Sequence, residues 1–152
     1  MKETLLFFMQ GIPEMTGVIA LCFAIAKVQI KWIQTLLVGV GAAILSYTIQ
    51  SLSFFFGFHT FIILFLVMLF VARVGQISIF KSFFVTSIVT IVLGMLEFSI
   101  NSLYFWLSGD TPHDTVSNET FWAMLGMPQA IIMVFLAIIV SIIIKPDKKG
   151  FE

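Results

Sequence analysis

Charge is the scarcest commodity in this chain. Only 11% of the 152 residues are Asp, Glu, Lys or Arg, whereas 60% are hydrophobic. Soluble domains run about 25% charged and about 45–50% apolar. That shortage excludes an ordinary cytosolic domain and a disordered tail, and the balance of eight basic against eight acidic residues excludes a nucleic-acid binder. Cysteine is nearly absent. Cys22 alone permits no internal disulfide and no thiolate metal cluster. Histidine occurs twice, as His59 and His113. No His or Cys set with ligand spacing exists, so neither a zinc nor a haem site is expected and the cofactor expectation is none. No serine–histidine pair can be argued either, and the expectation is a protein that is not an enzyme.

Long apolar runs fill the chain instead. A membrane-spanning helix needs about 20 mostly apolar residues, and the expected fold is an all-α membrane protein with five transmembrane helices at about 4–26, 32–54, 58–72, 82–107 and 121–144. The whole of 1–152 reads as a single transmembrane domain. No small-x-small cleavage signal closes the first run, and Leu21 before Cys22 does not suit a lipoprotein site, so the first span is expected to stay. The third span is short, and it either borrows Phe54 to Phe56 or sits against a thinned bilayer. The alternative is one long bent element around Gly57, giving four spans.

Basic residues favour five. Lys27 and Lys31 lie between spans one and two, Arg73 and Lys81 between three and four, and Lys145, Lys148 and Lys149 after the fifth. With five spans these seven of the eight Lys and Arg share one side, opposite Lys2. Asp110, Asp114 and Glu119 fall on the other side. Because basic loops stay cytoplasmic, the amino end is expected outside and the carboxyl end inside. Trp32 at the inner boundary and Tyr104, Trp106 and Trp122 at the outer one agree with interfacial aromatic belts. The one substantial loop carries Asp110 to Asp114 and then Asn118-Glu119-Thr120, a helix-cap and sequon pattern.

Polar residues within the spans are unevenly placed. At 1.5 Å per residue, Glu14 lies roughly 10–15 Å from the outer end of span one and Gln129 roughly 12 Å into span five. Glu97 and Asn101 lie toward the outer end of span four, Gln50 toward that of span two, and His59 at the start of span three. These six are the candidate ligand-binding residues, and all fall in the outer half or at its edge. The inner half offers little beyond Thr35, Thr86, Ser87, Thr90 and Ser141, whose hydroxyls are expected to bond to their own helices. An ionisable group near the bilayer centre costs at least about 2.5–3.5 kcal/mol, so such groups face the bundle interior or a wet cavity. The expectation is an outward-facing polar pocket closed below by an apolar plug. The competing role is interhelical glue, where each bond averages about 0.6 kcal/mol. Glu97 and Asn101, four apart, share one helix face, and Asn101 is expected to donate to the carboxylate.

Gly11-Ile12-Pro13-Glu14 and Gly126-Met127-Pro128-Gln129 repeat one short pattern, at similar depth in two helices entering from the same side. Proline frees a backbone carbonyl that must find another partner in a membrane. From Ala130 to Ile144 only Ser141 is polar, so the last helix is expected at the periphery, where it mediates dimerisation.

Ile12-Pro13-Glu14, Ser51-Leu52 with Phe56-Gly57-Phe58-His59-Thr60, and Gly126-Met127-Pro128-Gln129 resemble stretches in the amino-terminal membrane region of Firmicutes sensor histidine kinases. These are the quorum-sensing, accessory-gene-regulator-like kinases with a GHKL ATPase domain, and the resemblance runs over about residues 8 to 145. It implies a membrane-embedded signal receiver. The sequence reaches Glu152 without a dimerisation helix, a phosphoacceptor histidine or an ATP-binding domain. Kinase activity is therefore not carried over, and the expectation is a stand-alone or truncated relative of the sensor module. The expected function is a non-enzymatic sensor or regulatory module in the cell membrane of a bacterium. Its expected partners are the bilayer, an extracellular peptide or small molecule, and a membrane protein or further copies of itself, with no nucleic acid. The alternative is a subunit of a small oligomeric transporter or of an ion or proton channel.

Overall fold

The computed structural model describes residues 2–51, 58–109 and 119–147, with side chains described for 4–49, 61–109 and 125–147. Among these residues the chain is all-helical. Its elements are α1 (Lys2–Ile25), α2 (Trp32–Ser51), α3 (Phe58–Val74), α4 (Ile79–Ser108) and α5 (Glu119–Ile143). Expectations placed on the 54–57 junction, on the loop with Asp110, Asp114, His113 and Asn118, and on Lys148 and Lys149 lie outside the described residues, as do those on the side chains of Glu119 and Trp122.

Four stretches are long and apolar enough to cross a membrane: Thr4–Ile25, Trp32–Ile49, Ile79–Ser108 and Leu125–Ile143. Those are the proportions of a multi-pass membrane protein. The third helix is shorter, and its 17 residues span roughly 25 Å, against a hydrocarbon core of about 30 Å. It packs on α2 and α4, and Gly75 just beyond it lies against Val28.

Named contacts give the direction of each helix. Thr16 meets Gly39, Gly11 meets Ala43, and Thr4 meets Tyr47, so α1 and α2 are antiparallel. Ser82 on α4 donates to the Met68 carbonyl of α3, in an antiparallel pair. Along α1 and α5, Gln10 meets Gly126, Gly17 meets Met133, and Lys27 meets Asp147, so these two helices are parallel and in register. The α1–α2 turn, the α3–α4 turn and the segment after α5 therefore share one end. Asp147 N–H donates to the Lys27 carbonyl at 2.9 Å, and Gly75 lies against Val28. Lys27, Lys31, Arg73, Lys81 and Lys145 all sit at this end, called here the basic end.

Both turns there close in the same way. Lys27 (φ 62°) and Gln76 (φ 47°) adopt left-handed backbone after α1 and α3. The following amides reach back five residues, Val28 to Phe23 and Ile77 to Ala72, which caps the last carbonyls. Ser78 opens α4 by accepting from the Lys81 amide.

Helix α1 is the centre of the bundle. Val18 to Ala24 are buried without exception, against Val67 and Val71 of α3, Val85 and Val89 of α4, and Met133 and Ala137 of α5. Small residues let the neighbours approach. A Cβ on Gly17 would stand 2.9 Å from Met133 Cβ and 3.2 Å from the Val134 nitrogen, and one on Gly39 would overlap the Thr16 hydroxyl. Lipid tails are as apolar as leucine, so such close backbone packing, rather than hydrophobic burial, holds membrane helices together.

The last helix is peripheral in that Ile131, Phe135, Ile139, Ile142 and Ile143 stay exposed, but its remaining face is closely packed. α5 is the helix most extensively packed on α1, because Gly126, Ala130 and Ala137 present a small-residue seam to it. The loosely held helix is α4, whose buried residues, Ser82, Val85, Thr86 and Val89, all lie in its basic-end half.

The hydroxyls of that half largely follow expectation. Thr35, Thr90 and Ser141 donate to the carbonyls of Lys31, Thr86 and Ile138 on their own helices. Thr86 does not; its buried hydroxyl bonds to no carbonyl among the described residues and lies beside the Cys22 thiol of α1.

Candidate functional site

On α1, positions 10 and 14 are one turn apart, so Gln10 and Glu14 face the same way. Gln10 Nε2 donates to Glu14 Oε2 at 3.4 Å. On α4, Glu97 and Asn101 stand one turn apart on the side turned toward α1 and α5. On α5, Gln129 follows Pro128 by one residue. These five side chains, with Leu125 and Gly126, line a chamber of about 170 Å³.

A second chamber of about 300 Å³ adjoins it and shares Gln10, Glu14 and Glu97 as a common wall. Its remaining lining is mostly apolar, with Phe7, Met15 and Val18 of α1, Ala43 of α2, Ile63, Leu64 and Val67 of α3, and Leu93 of α4. All five helices thus contribute to the pair of chambers. On the basic-end side, the chambers give way to the buried run from Val18 to Ala24 and its valine, methionine and alanine neighbours.

Four of the six sequence candidates are brought together: Glu14, Glu97, Asn101 and Gln129. Gln50 lies in the last turn of α2 and His59 in the first turn of α3, but both side chains lie outside the described residues. The bond expected from Asn101 to Glu97 is not formed. The spacing of four that does produce a hydrogen bond is Gln10 with Glu14. Gln10 carries no periodic signal of its own, and that spacing ahead of Glu14 is the only hint the sequence holds.

The repeated Gly-x-Pro-x pattern acquires a geometric sense. α1 and α5 run through Pro13 and Pro128 without ending. Because the two helices are parallel, Glu14 and Gln129 stand at one level on two walls of the chamber. Gly126 serves Gln10 directly, since a Cβ there would overlap the Gln10 side chain. Gly11 has no such role and meets Ala43 Cβ at 3.8 Å.

Gln129 is only 5% exposed, and it has no hydrogen-bond partner among the described residues. A carboxamide brings two donors and an acceptor, and those of Gln129 open on the chamber. Among the described residues Gln129 thus makes no hydrogen bond to a neighbouring helix. Glu97 and Asn101 likewise make no hydrogen bond among the described residues. Two carboxylates and three carboxamides converge, with no cationic side chain among the described residues that line either chamber.

Among the described residues no three His, Cys, Asp or Glu side chains group as a metal site. Cys22, fully buried in the α1 core, is not among the residues that line the chambers.

Comparison with family models, with curated proteins and with solved structures finds no match.

Proposed function

We propose that the chain is a non-enzymatic integral membrane sensor or regulatory module. An outward-facing polar chamber takes up a peptide or small-molecule ligand, and the occupied state passes sideways to a membrane partner. The observation that carries this reading is the convergence of Glu14, Glu97, Asn101 and Gln129 from three helices on one chamber. Intramembrane ionisable residues are expensive to keep and mark functional sites.

In this reading all five helices span, with short α3 set against a locally thinned bilayer. The basic end faces the cytoplasm by the charge rule, and the chambers open toward the outside of a bacterial cell membrane. The membrane region of the sensor kinases that the sequence resembles has the same plan, a receiver for an external signal. Loose packing of the outer half of α4 supports a helix that shifts when the chamber fills, because low local packing marks elements that move.

A second reading, a subunit of a small oligomeric transporter or channel, is favoured by the two intramembrane carboxylates. The closed apolar packing around Val18 to Ala24 weighs against a continuous path. Proteoliposome flux separates the two. The sensor reading predicts no proton or cation flux above protein-free liposomes, and capture of a second membrane protein from native membranes under mild detergent. Flux abolished by Glu14→Gln or Glu97→Gln would establish the transport reading instead.

A further inference from the structure

Glu14 and Glu97 stand on the wall shared by the two chambers, so a bound molecule touching them has a polar space on one side and an apolar space on the other. The polar side offers carboxylate and carboxamide oxygens. Gln129, at 5% exposure, lines it with no hydrogen-bond partner among the described residues, so its carboxamide oxygen is open to a donor bound in the chamber. The apolar side offers Phe7, Met15, Ile63, Leu64 and Leu93.

We propose that the two chambers together bind an amphiphilic organic cation: an ammonium head between Glu14 and Glu97 with an aliphatic or aromatic body in the apolar chamber. This deepens the proposed function and rests on its premise that the cavity is a ligand site. An ammonium group brings three donors and no acceptor, which matches oxygen acceptors supplied by Glu14, Glu97, Asn101 and Gln129. Its positive charge answers two carboxylates that have no Lys or Arg beside them among the described residues lining the chambers. Phe7, in the wall of the second chamber, adds an aromatic face of the kind that attracts cations.

A bare inorganic cation fits less well. Calcium takes 6–8 oxygen ligands in a close shell, whereas only two carboxylates are present and Glu97 is exposed on the loosely packed helix. Nor would it use the adjoining apolar space. An anion is disfavoured by both carboxylates.

The test uses the whole chain in zwitterionic nanodiscs, with empty nanodiscs as the control for partition into lipid. The probes are propylammonium, hexylammonium, hexan-1-ol, hexanoate and sodium chloride at constant ionic strength, read by thermal shift and calorimetry. Hexylammonium is expected to bind at least tenfold tighter than hexan-1-ol, and hexanoate not at all. Each methylene between the propyl and hexyl probes is expected to tighten binding by about fourfold. Glu14→Gln and Glu97→Gln are each expected to weaken hexylammonium at least tenfold while leaving hexan-1-ol unchanged, which also shows that the variants are folded. Ala43→Leu, which fills the apolar chamber, is expected to erase the chain-length dependence but keep propylammonium binding.

Equal binding of hexan-1-ol and hexylammonium, or wild-type affinity in both Gln variants, would overturn the cation assignment while leaving a ligand cavity. Stabilisation by sodium alone equal to that by hexylammonium would overturn it in favour of an inorganic ion. Binding of no probe by folded protein would overturn both the assignment and the ligand-site premise.

Discussion

The Gln10 side chain lies across Gly126, filling the space that a side chain at position 126 would need. That contact couples the middle of α1 to the start of α5 and holds Gln10 where it donates to Glu14. Gly126→Ala is therefore expected to displace Gln10. Because a flexible side chain gives way, the stability cost should fall below the about 1–3 kcal/mol typical of overpacking. The displaced amide narrows the polar chamber and leaves Glu14 without its donor. Hexylammonium affinity should drop while the melting temperature in detergent stays near wild type. Unchanged affinity would separate Gln10 from the site.

Gly17 makes the opposite case. Its would-be Cβ meets the Met133 Cβ and the Val134 backbone nitrogen, neither of which can rotate away. Gly17→Ala is expected to cost about 1–3 kcal/mol by prising α5 from α1. Gly94, with nothing within 4 Å of a Cβ, is the control. Gly94→Ala is expected to gain roughly 0.5–1 kcal/mol from reduced backbone freedom. Thermal unfolding of the two variants in one detergent measures the contrast, and equal shifts of the same sign would contradict the α1–α5 seam.

Ser82 and Ser99 are both on α4, but their hydroxyls do different things. Ser82 Oγ donates to the Met68 carbonyl across to α3 at 2.6 Å in a buried place, whereas Ser99 Oγ bonds to Met95 on its own helix. Interhelical hydrogen bonds in membranes average about 0.6 kcal/mol and reach about 1.7. Ser82→Ala is expected to fall in that range of destabilisation, and Ser99→Ala to lie near zero. Reversed magnitudes would show that the α3–α4 pair is held elsewhere.

Much of the helical frame was legible in the residues. The apolar runs at 4–26 and 58–72 correspond to Lys2–Ile25 and Phe58–Val74, because charges and turn residues bracket them. The inner hydroxyls Thr35 and Thr90 close onto their own helices as helical threonines do. Four candidate polar residues meet because burial of ionisable groups in lipid forces them toward a common interior. What was not legible depends on helix-to-helix contact. Gln10 looks like any exposed amide until Gly126 is brought against it. The last helix reads as lipid-facing because Ala130, Met133 and Ala137 differ little in polarity from Ile131 or Phe135, and only size distinguishes the packed face. Asn101 and Glu97 share a helix face, yet spacing alone did not make them bond.

Orientation has its own test. In a Cys22→Ala background, Ser108→Cys is expected to react with a membrane-impermeant thiol reagent on intact cells. Gln29→Cys and Gln76→Cys, in the two turns of the basic end, are expected to react only after permeabilisation. Labelling of Gln76→Cys on intact cells would invert or break the five-span arrangement.

The central claim is a wet polar chamber reached from the outside and closed toward the basic end by the packing around Val18 to Ala24. The most direct measurement is side-specific reaction of Gln129→Cys, again without Cys22, in right-side-out and inside-out vesicles, with Ala137→Cys in the apolar seal as the comparison. The account predicts that a small impermeant thiol reagent modifies Gln129→Cys only in right-side-out vesicles, that hexylammonium slows this modification, and that Ala137→Cys stays unreacted in both. Reaction of Gln129→Cys from the inside-out face, or of Ala137→Cys from either, would contradict it.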